Sequence, residues 1–247
     1  MNPLLIASGG GTIIPNFGSP QQYSCERANR LFCWGWFKQN WGPILWPALR
    51  QHIVLVLIVV AIGFAISMAL ALVAHRYRVA EQPVIWFTSF LYTIPSLAFF
   101  ELLVPVSGLG LTRTTGIVVL VSYSLLILFR NILTGLRSAP PEVLDAARGM
   151  GMSRSQMLWR VELPLAMPAT IAGLRIATVS TVALGTLAAL VDNSGLGVPI
   201  FSGISDSNFK TELIAAGGLA VLLALTADGL LVGAQRWLTP WSRTRAA

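Results

Sequence analysis

The chain has 247 residues, of which 55% are hydrophobic and only 11% charged, against about 25% charged in ordinary soluble domains. So little polar material cannot cover a water-facing surface, and the length leaves room for about five or six apolar helices of roughly 20 residues each. The formal charge of +7 does not read as a nucleic-acid footprint, because the basic residues are thin and gather at the ends of apolar runs, as membrane topology demands.

Residues 1–24 are rich in Gly, Ser, Pro and Asn and have no regular apolar period. No basic start leads into a long apolar run, so a cleavable signal peptide is not expected. Residues 1–48 read as an extracytoplasmic extension with an interfacial segment. Within it, Cys25 and Cys33 lie eight residues apart. They close a small disulfide loop if this segment is outside the cytoplasm, or stay as two free thiols if it is not. Trp34, Trp36, Trp41 and Trp46 follow. An interfacial aromatic belt leading into a span explains them better than an aromatic cage for a cationic ligand.

Five apolar spans are expected between residues 49 and 240, near 53–74, 84–106, 114–129, from after Pro168 to 191, and 213–235. His52 and His75 flank the first and read as boundary residues. Pro95, inside the second, frees a carbonyl and permits a bend, for a substrate path or for packing alone. Glu101 is costly in lipid. It belongs to a pathway, pairs with a cation such as Arg113, or sits solvated at the boundary. Arg175 and Asp228 are further intramembrane charges, best read as helix-contact residues. Arg175 is near enough to its span end to snorkel, and Asp228 precedes Gly229 and Gly233, a small-residue pair that can seat a helix. Residues 241–247 form a cytoplasmic tail.

The polar interruption at 138–164 is organised differently from the other connections. Pro140 and Pro141 suit the first turn of a helix, and Glu142 and Asp145 favour its positive end. Val143, Ala146, Ala147 and Met150 recur at helical spacing. Gly149 and Gly151 break that helix. Ser153 and Gln156 match a capping box that opens a second helix, which Leu163-Pro164 closes. The shape is that of a knob meant for a groove, or of an amphipathic loop resting on the bilayer.

One run inside this loop carries a family resemblance: Asp145-Ala146-Ala147, three residues, Gly151, nine residues, then Val161-Glu162-Leu163-Pro164. It resembles the EAA loop of ABC importer permeases, with Asp for Glu and Val for Ile. Thr93-Ile94-Pro95-Ser96-Leu97-Ala98, Arg130-Asn131 with Gly135-Leu136, Gly173-Leu174-Arg175 and Gly195-Leu196-Gly197 with Gly203 are similar to the osmoprotectant branch. That branch carries glycine betaine, choline, carnitine or proline-type solutes. The resemblance covers about residues 45–240.

The resemblance implies an all-α membrane protein of about five transmembrane helices, in the bacterial plasma membrane. Its cytoplasmic loop docks on an ABC ATPase through Glu142, Asp145, Ala146, Ala147, Met150, Gly151, Val161, Leu163 and Pro164. The implied translocation path includes Pro95, Ser96, Glu101 and Asn131. The implied partners are the ATPase, a second permease, identical or homologous, an extracytoplasmic solute-binding protein and membrane lipid. With the loop inside, five spans put the N-terminus outside and the C-terminus inside, although Arg27, Arg30 and Lys38 count against a clean charge asymmetry. This chain has no phosphate-loop motif, so ATP and Mg belong to the partner. No catalytic arrangement and no metal constellation stand out. Another small solute such as methionine, or a stand-alone secondary transporter or channel, is the alternative.

Overall fold

The computed structural model describes residues 28–205 and 209–240. Among these residues every regular element is helical. Cys25, and with it the expected disulfide, lies outside the described residues. Cys33 is buried, and its backbone N–H donates to Thr211 Oγ1 at 2.9 Å.

Helix α1, Trp34–Asn40, passes through one wide turn, Trp41–Leu45, into α2, Trp46–Arg76. Pro43 has no amide hydrogen for the helical ladder, and the turn widens around it. The first crossing is therefore much longer than the apolar run alone suggests: 43 residues from Trp34 to Arg76. The second is not one helix. It splits into α3, Glu81–Thr93, and α4, Ser96–Leu103, with a 95° bend between them.

Helix α5, Arg113–Leu136, is the most enclosed crossing. It packs against α2 on one side and α8, Leu163–Gly185, on another. Two apolar clusters hold these helices together. Leu55, Val59, Phe100, Val119 and Leu120 fill the end near α4. Ala71, Ala74, Phe129, Ile132, Leu136 and Ala166 fill the other. There α5 and α8 approach so closely that a methyl group at Gly135 would lie 2.8 Å from the Ala166 carbonyl oxygen.

Before α8 come α6, Pro141–Gly149, and the single turn α7, Arg154–Met157. The second loop helix does not close at Leu163-Pro164, as expected. It runs through a wide turn, Leu158–Glu162, straight into α8. Pro164 stands directly after the wide turn, which accommodates its missing amide hydrogen, so the helix continues past it instead of stopping. Pro168 is inside α8, not before it.

Short helices α9, Ala189–Asp192, and α10, Gly197–Ser205, lead to the last crossing, α11, Lys210–Leu238. Arg175 and Asp228 meet between α8 and α11. Arg175 Nε and Nη2 donate to the two carboxylate oxygens at 2.7 and 2.9 Å. The bidentate pair explains both charges without snorkelling. Gly229 and Gly233 face open space, so no described helix of this chain sits on them. Val221, Leu222, Leu225, Leu230 and Trp237 are exposed along α11, an apolar exterior suited to lipid.

Because α5 and α8 touch at backbone distance, Gly135→Val should force them apart and cost about 1–3 kcal/mol. The expected result is a lower melting midpoint in detergent. An unchanged midpoint would show that the crossing is looser than described.

Candidate functional site

The bend in the second crossing begins with chemistry local to Pro95. The ring of a proline pushes the preceding residue out of helical geometry, and Ile94 is extended at φ −64°, ψ 128°. Helix α4 resumes when the Phe99 N–H donates to the Pro95 carbonyl at 2.9 Å. The break leaves the Ile94 carbonyl without a helical donor at membrane depth, which is costly unless another group supplies one. The hydroxyl of Tyr123, on α5, donates to it.

A hollow of about 460 Å³ opens beside this break. Tyr92, Ser96, Tyr123, Ser124, Ser180 and Thr181 supply its polar and aromatic surface. The Tyr92 and Tyr123 rings meet edge to face at 5.8 Å. Ser124 and Thr181 donate to carbonyls of their own helices at 2.8 and 2.7 Å. Among the described residues, no charged side chain lines the hollow. The site can therefore offer ring faces and hydroxyls, but not a counter-ion.

The residues expected on a translocation path separate here. Pro95 and Ser96 line the hollow. Glu101 does not; it is exposed on α4 and forms no ion pair among the described residues. The suggested pairing with Arg113 is not made among the described residues: Glu101, near the end of α4, is exposed, across the 104–112 connection from the first residue of α5. Asn131 also lies off the hollow. Its amide donates to the Ile127 carbonyl at 2.8 Å, and its side chain packs on Gly173. Tyr92, Tyr123, Ser180 and Thr181 were not singled out in the sequence. The adjacent hydroxyls of Ser180 and Thr181 in an apolar span were the available signal.

His52 is not a boundary residue. It is fully buried, and its Nε2–H donates to the Val182 carbonyl at 3.0 Å while Nδ1 accepts from the Leu196 N–H at 3.4 Å. Next to it, Gln51 accepts from the Gly195 N–H at 3.0 Å. Gly195 has φ +79° and packs directly against the imidazole, a position no side chain would tolerate. Thus α2 holds both the wall of the hollow and the 193–197 loop.

At the opposite end, the loop has the local structure its residues dictate. Helix α6 starts at the paired prolines, with the Val143 and Leu144 N–H groups donating to the Pro140 carbonyl. It ends where Gly151 takes φ +78°. Ser153 and Gln156 make both bonds of the capping box, at 3.3 and 2.8 Å. Glu142, Asp145 and Ala146 are exposed. So are Val143, Met150 and Trp159, at 39%, 71% and 65%. Trp159 was not anticipated. Ala147, by contrast, is only 2% exposed and turns into its own chain. It shapes the loop and offers no side chain to a partner. Val161, Leu163 and Pro164 are half-buried where the loop enters α8.

Polar clamps fasten this loop to the bundle. His75 on α2 bonds Glu162 at 2.9 Å. Arg137, just past α5, reaches Glu81 at 2.7 Å and the Ala74 carbonyl at 3.3 Å. These contacts join the ends of α2, α3, α5 and α8 where the loop leaves and re-enters the bundle.

The chain belongs to the binding-protein-dependent transport system inner membrane component family, whose model matches residues 61–243. It is 34% identical to the choline transport system permease protein OpuBB of Bacillus subtilis, over 81% of this chain and 91% of that protein. It is 36% identical to the osmoprotectant import permease protein OsmW of Salmonella typhimurium, over 77% and 89%. The glycine betaine/carnitine/choline transport system permease protein OpuCB of Bacillus subtilis is 32% identical over 81% and 91%. Among solved structures, an inward-facing form of the MetNI methionine ABC transporter superposes with a TM-score of 0.69, covering 80% of this chain and 99% of that chain at 18% identity. An amino acid ABC transporter with histidines gives 0.66, covering 81% and 96% at 18% identity. At such identity these two establish the fold alone.

Tyr123→Phe removes the hydroxyl that donates to the Ile94 carbonyl and leaves that group unmet among the described residues, at a cost of about 1–3 kcal/mol. Uptake should fall severalfold while the protein still inserts and purifies with its partners. Full uptake by this variant would show that the break holds without Tyr123.

Proposed function

We propose that this chain is the translocation subunit of an ATP-driven importer of small osmoprotectant solutes of the glycine betaine, choline, carnitine or proline type. The observation that carries this reading is the similarity to permeases named for choline and osmoprotectant transport along nine-tenths of their length. The hollow supports it chemically. A quaternary ammonium has no hydrogen to donate, so it is accommodated by aromatic faces better than by hydrogen-bond acceptors. Tyr92 and Tyr123 offer such faces. Hydroxyls can meet a solute's carboxylate or alcohol without trapping it, as a transit site must. Methionine is the weaker reading, because the likeness to a methionine transporter is one of fold.

In this reading two permeases, identical or homologous, meet two ATPase subunits on the cytoplasmic side, and a solute-binding protein delivers from the other side. The N-terminus lies outside and the C-terminus inside. ATP and Mg are held by the ATPase, and this chain performs no hydrolysis. The loop transmits the ATPase's closure because it contacts that partner differently in the two states. Glu142, Asp145, Ala146 and Met150 present the contact, joined by Val143 and Trp159. Gly151, Ala147, Val161, Leu163 and Pro164 hold its shape and its junction with α8. The clamps at His75–Glu162 and Arg137–Glu81 carry the motion to the break at Ile94-Pro95.

Val143→Asp and Met150→Glu test this coupling without attacking the fold, since both side chains are exposed. Each should weaken recovery of the ATPase and lower ATP-driven uptake by about tenfold or more, equivalent to about 1.4 kcal/mol of lost contact. Normal recovery and normal uptake in both variants would reject the loop as the ATPase contact. Ala147→Arg is a poorer probe, because a buried site is disrupted whatever it touches.

A further inference from the structure

Helices α2 and α5 both have their first turns at the end of the bundle away from the 138–164 loop. Arg113 opens α5, and the 24 residues to Leu136 put it ~36 Å from the loop's start. That is slightly more than the hydrocarbon thickness, so Arg113 falls at the depth of the lipid headgroups. Trp46, Pro47, Arg50, Gln51 and Val54 of α2 form, together with Arg113, an open hollow of about 430 Å³.

Three observations distinguish this hollow. First, two guanidinium groups line it and, among the described residues, no carboxylate does. Among the described residues neither arginine forms an ion pair: Glu101 has none, and Asp192 accepts from the Ser194 amide and hydroxyl at 3.1 and 2.6 Å. Second, Arg113 Nε and Nη2 are buried with no acceptor among the described residues. An unmet buried donor of a charged group is unfavourable, more so beside a like charge. Third, the surroundings are interfacial. Trp46 is exposed at the level where indoles favour the headgroups. Val54 and Leu57, exposed one and two turns deeper on α2, continue an apolar track away from the arginines.

We propose that this hollow binds the phosphate of an anionic phospholipid. Arg50 and Arg113 grip the phosphate oxygens, for which planar guanidinium forks are suited. Trp46 packs beside the glycerol region, and an acyl chain follows Val54 and Leu57. The same pair of arginines would accept free phosphate, so the experiment separates the two sources. The site is separate from the uncharged hollow beside Ile94-Pro95, and it does not depend on which solute is carried.

The test is native mass spectrometry of the purified transporter after exchange into nanodiscs of phosphatidylglycerol with phosphatidylcholine. Wild type should retain phosphatidylglycerol over phosphatidylcholine through delipidation. Arg50→Gln and the Arg50→Gln/Arg113→Gln double variant should reduce that retention at least fivefold, and Arg113→Lys, which keeps the charge but loses the fork, should fall between wild type and the double variant. Arg50 is exposed, so its single variant remains readable if the double variant fails to fold. Displacement of the lipid by millimolar inorganic phosphate would make the site a general phosphate site, whereas no displacement marks it as a lipid site. Equal retention of both lipids, or unchanged phosphatidylglycerol retention in Arg50→Gln, would overturn the proposal.

Discussion

The hydrogen bond from Tyr123 to the Ile94 carbonyl is the contact on which the functional geometry depends. A backbone break inside a bilayer is permitted only where the freed groups find partners within the protein. Pro95 creates the break, and α5 answers it from a neighbouring helix. Because the answer comes from the most enclosed helix of the bundle, the bend is fixed in direction. The hollow lies where α3 turns away from α5 and α8. Its uncharged lining suits this depth: serine, threonine and tyrosine hydroxyls satisfy helix carbonyls, whereas a lone charge would need a permanent partner.

The two ends of the bundle are joined to this region by side chains of α2. His52 and Gln51 hold the end of α8 and the 193–197 loop, while His75 holds Glu162 at the entrance to α8. One helix thus braces both ends of another. The Arg175–Asp228 pair then ties α8 to α11. The second half of the 138–164 loop, from Arg154 onward, continues through the wide turn directly into α8, while α6 is joined to it across the turn at Gly151.

Local features of this architecture were legible in the sequence. The capping box, the break at Gly151 and the acidic first turn of α6 depend on residues within one or two turns of each other, and they stand where their spacing put them. The apolar runs located the crossings for the same reason. What was hidden depends on which helices become neighbours. Nothing near Arg175 announces Asp228, 53 positions away. His52 looked like a boundary residue because it begins an apolar run, yet its partners come from residues 182 and 196. Ala147 belongs to the motif, but only the folded loop reveals that its methyl points inward while Val143, Met150 and Trp159 point out. Proline was ambiguous throughout: Pro95 breaks a helix, Pro164 follows a wide turn that lets the helix continue, and Pro168 is accommodated inside one.

The central claim is that this permease moves solute only as part of an ATP-driven assembly. Reconstitution into proteoliposomes with its ATPase and solute-binding protein, followed by uptake of labelled choline or glycine betaine, tests it most directly. Accumulation against a gradient that requires both internal ATP and the external binding protein is the predicted result. Accumulation by the permease alone, driven by an ion gradient without ATP, would contradict it.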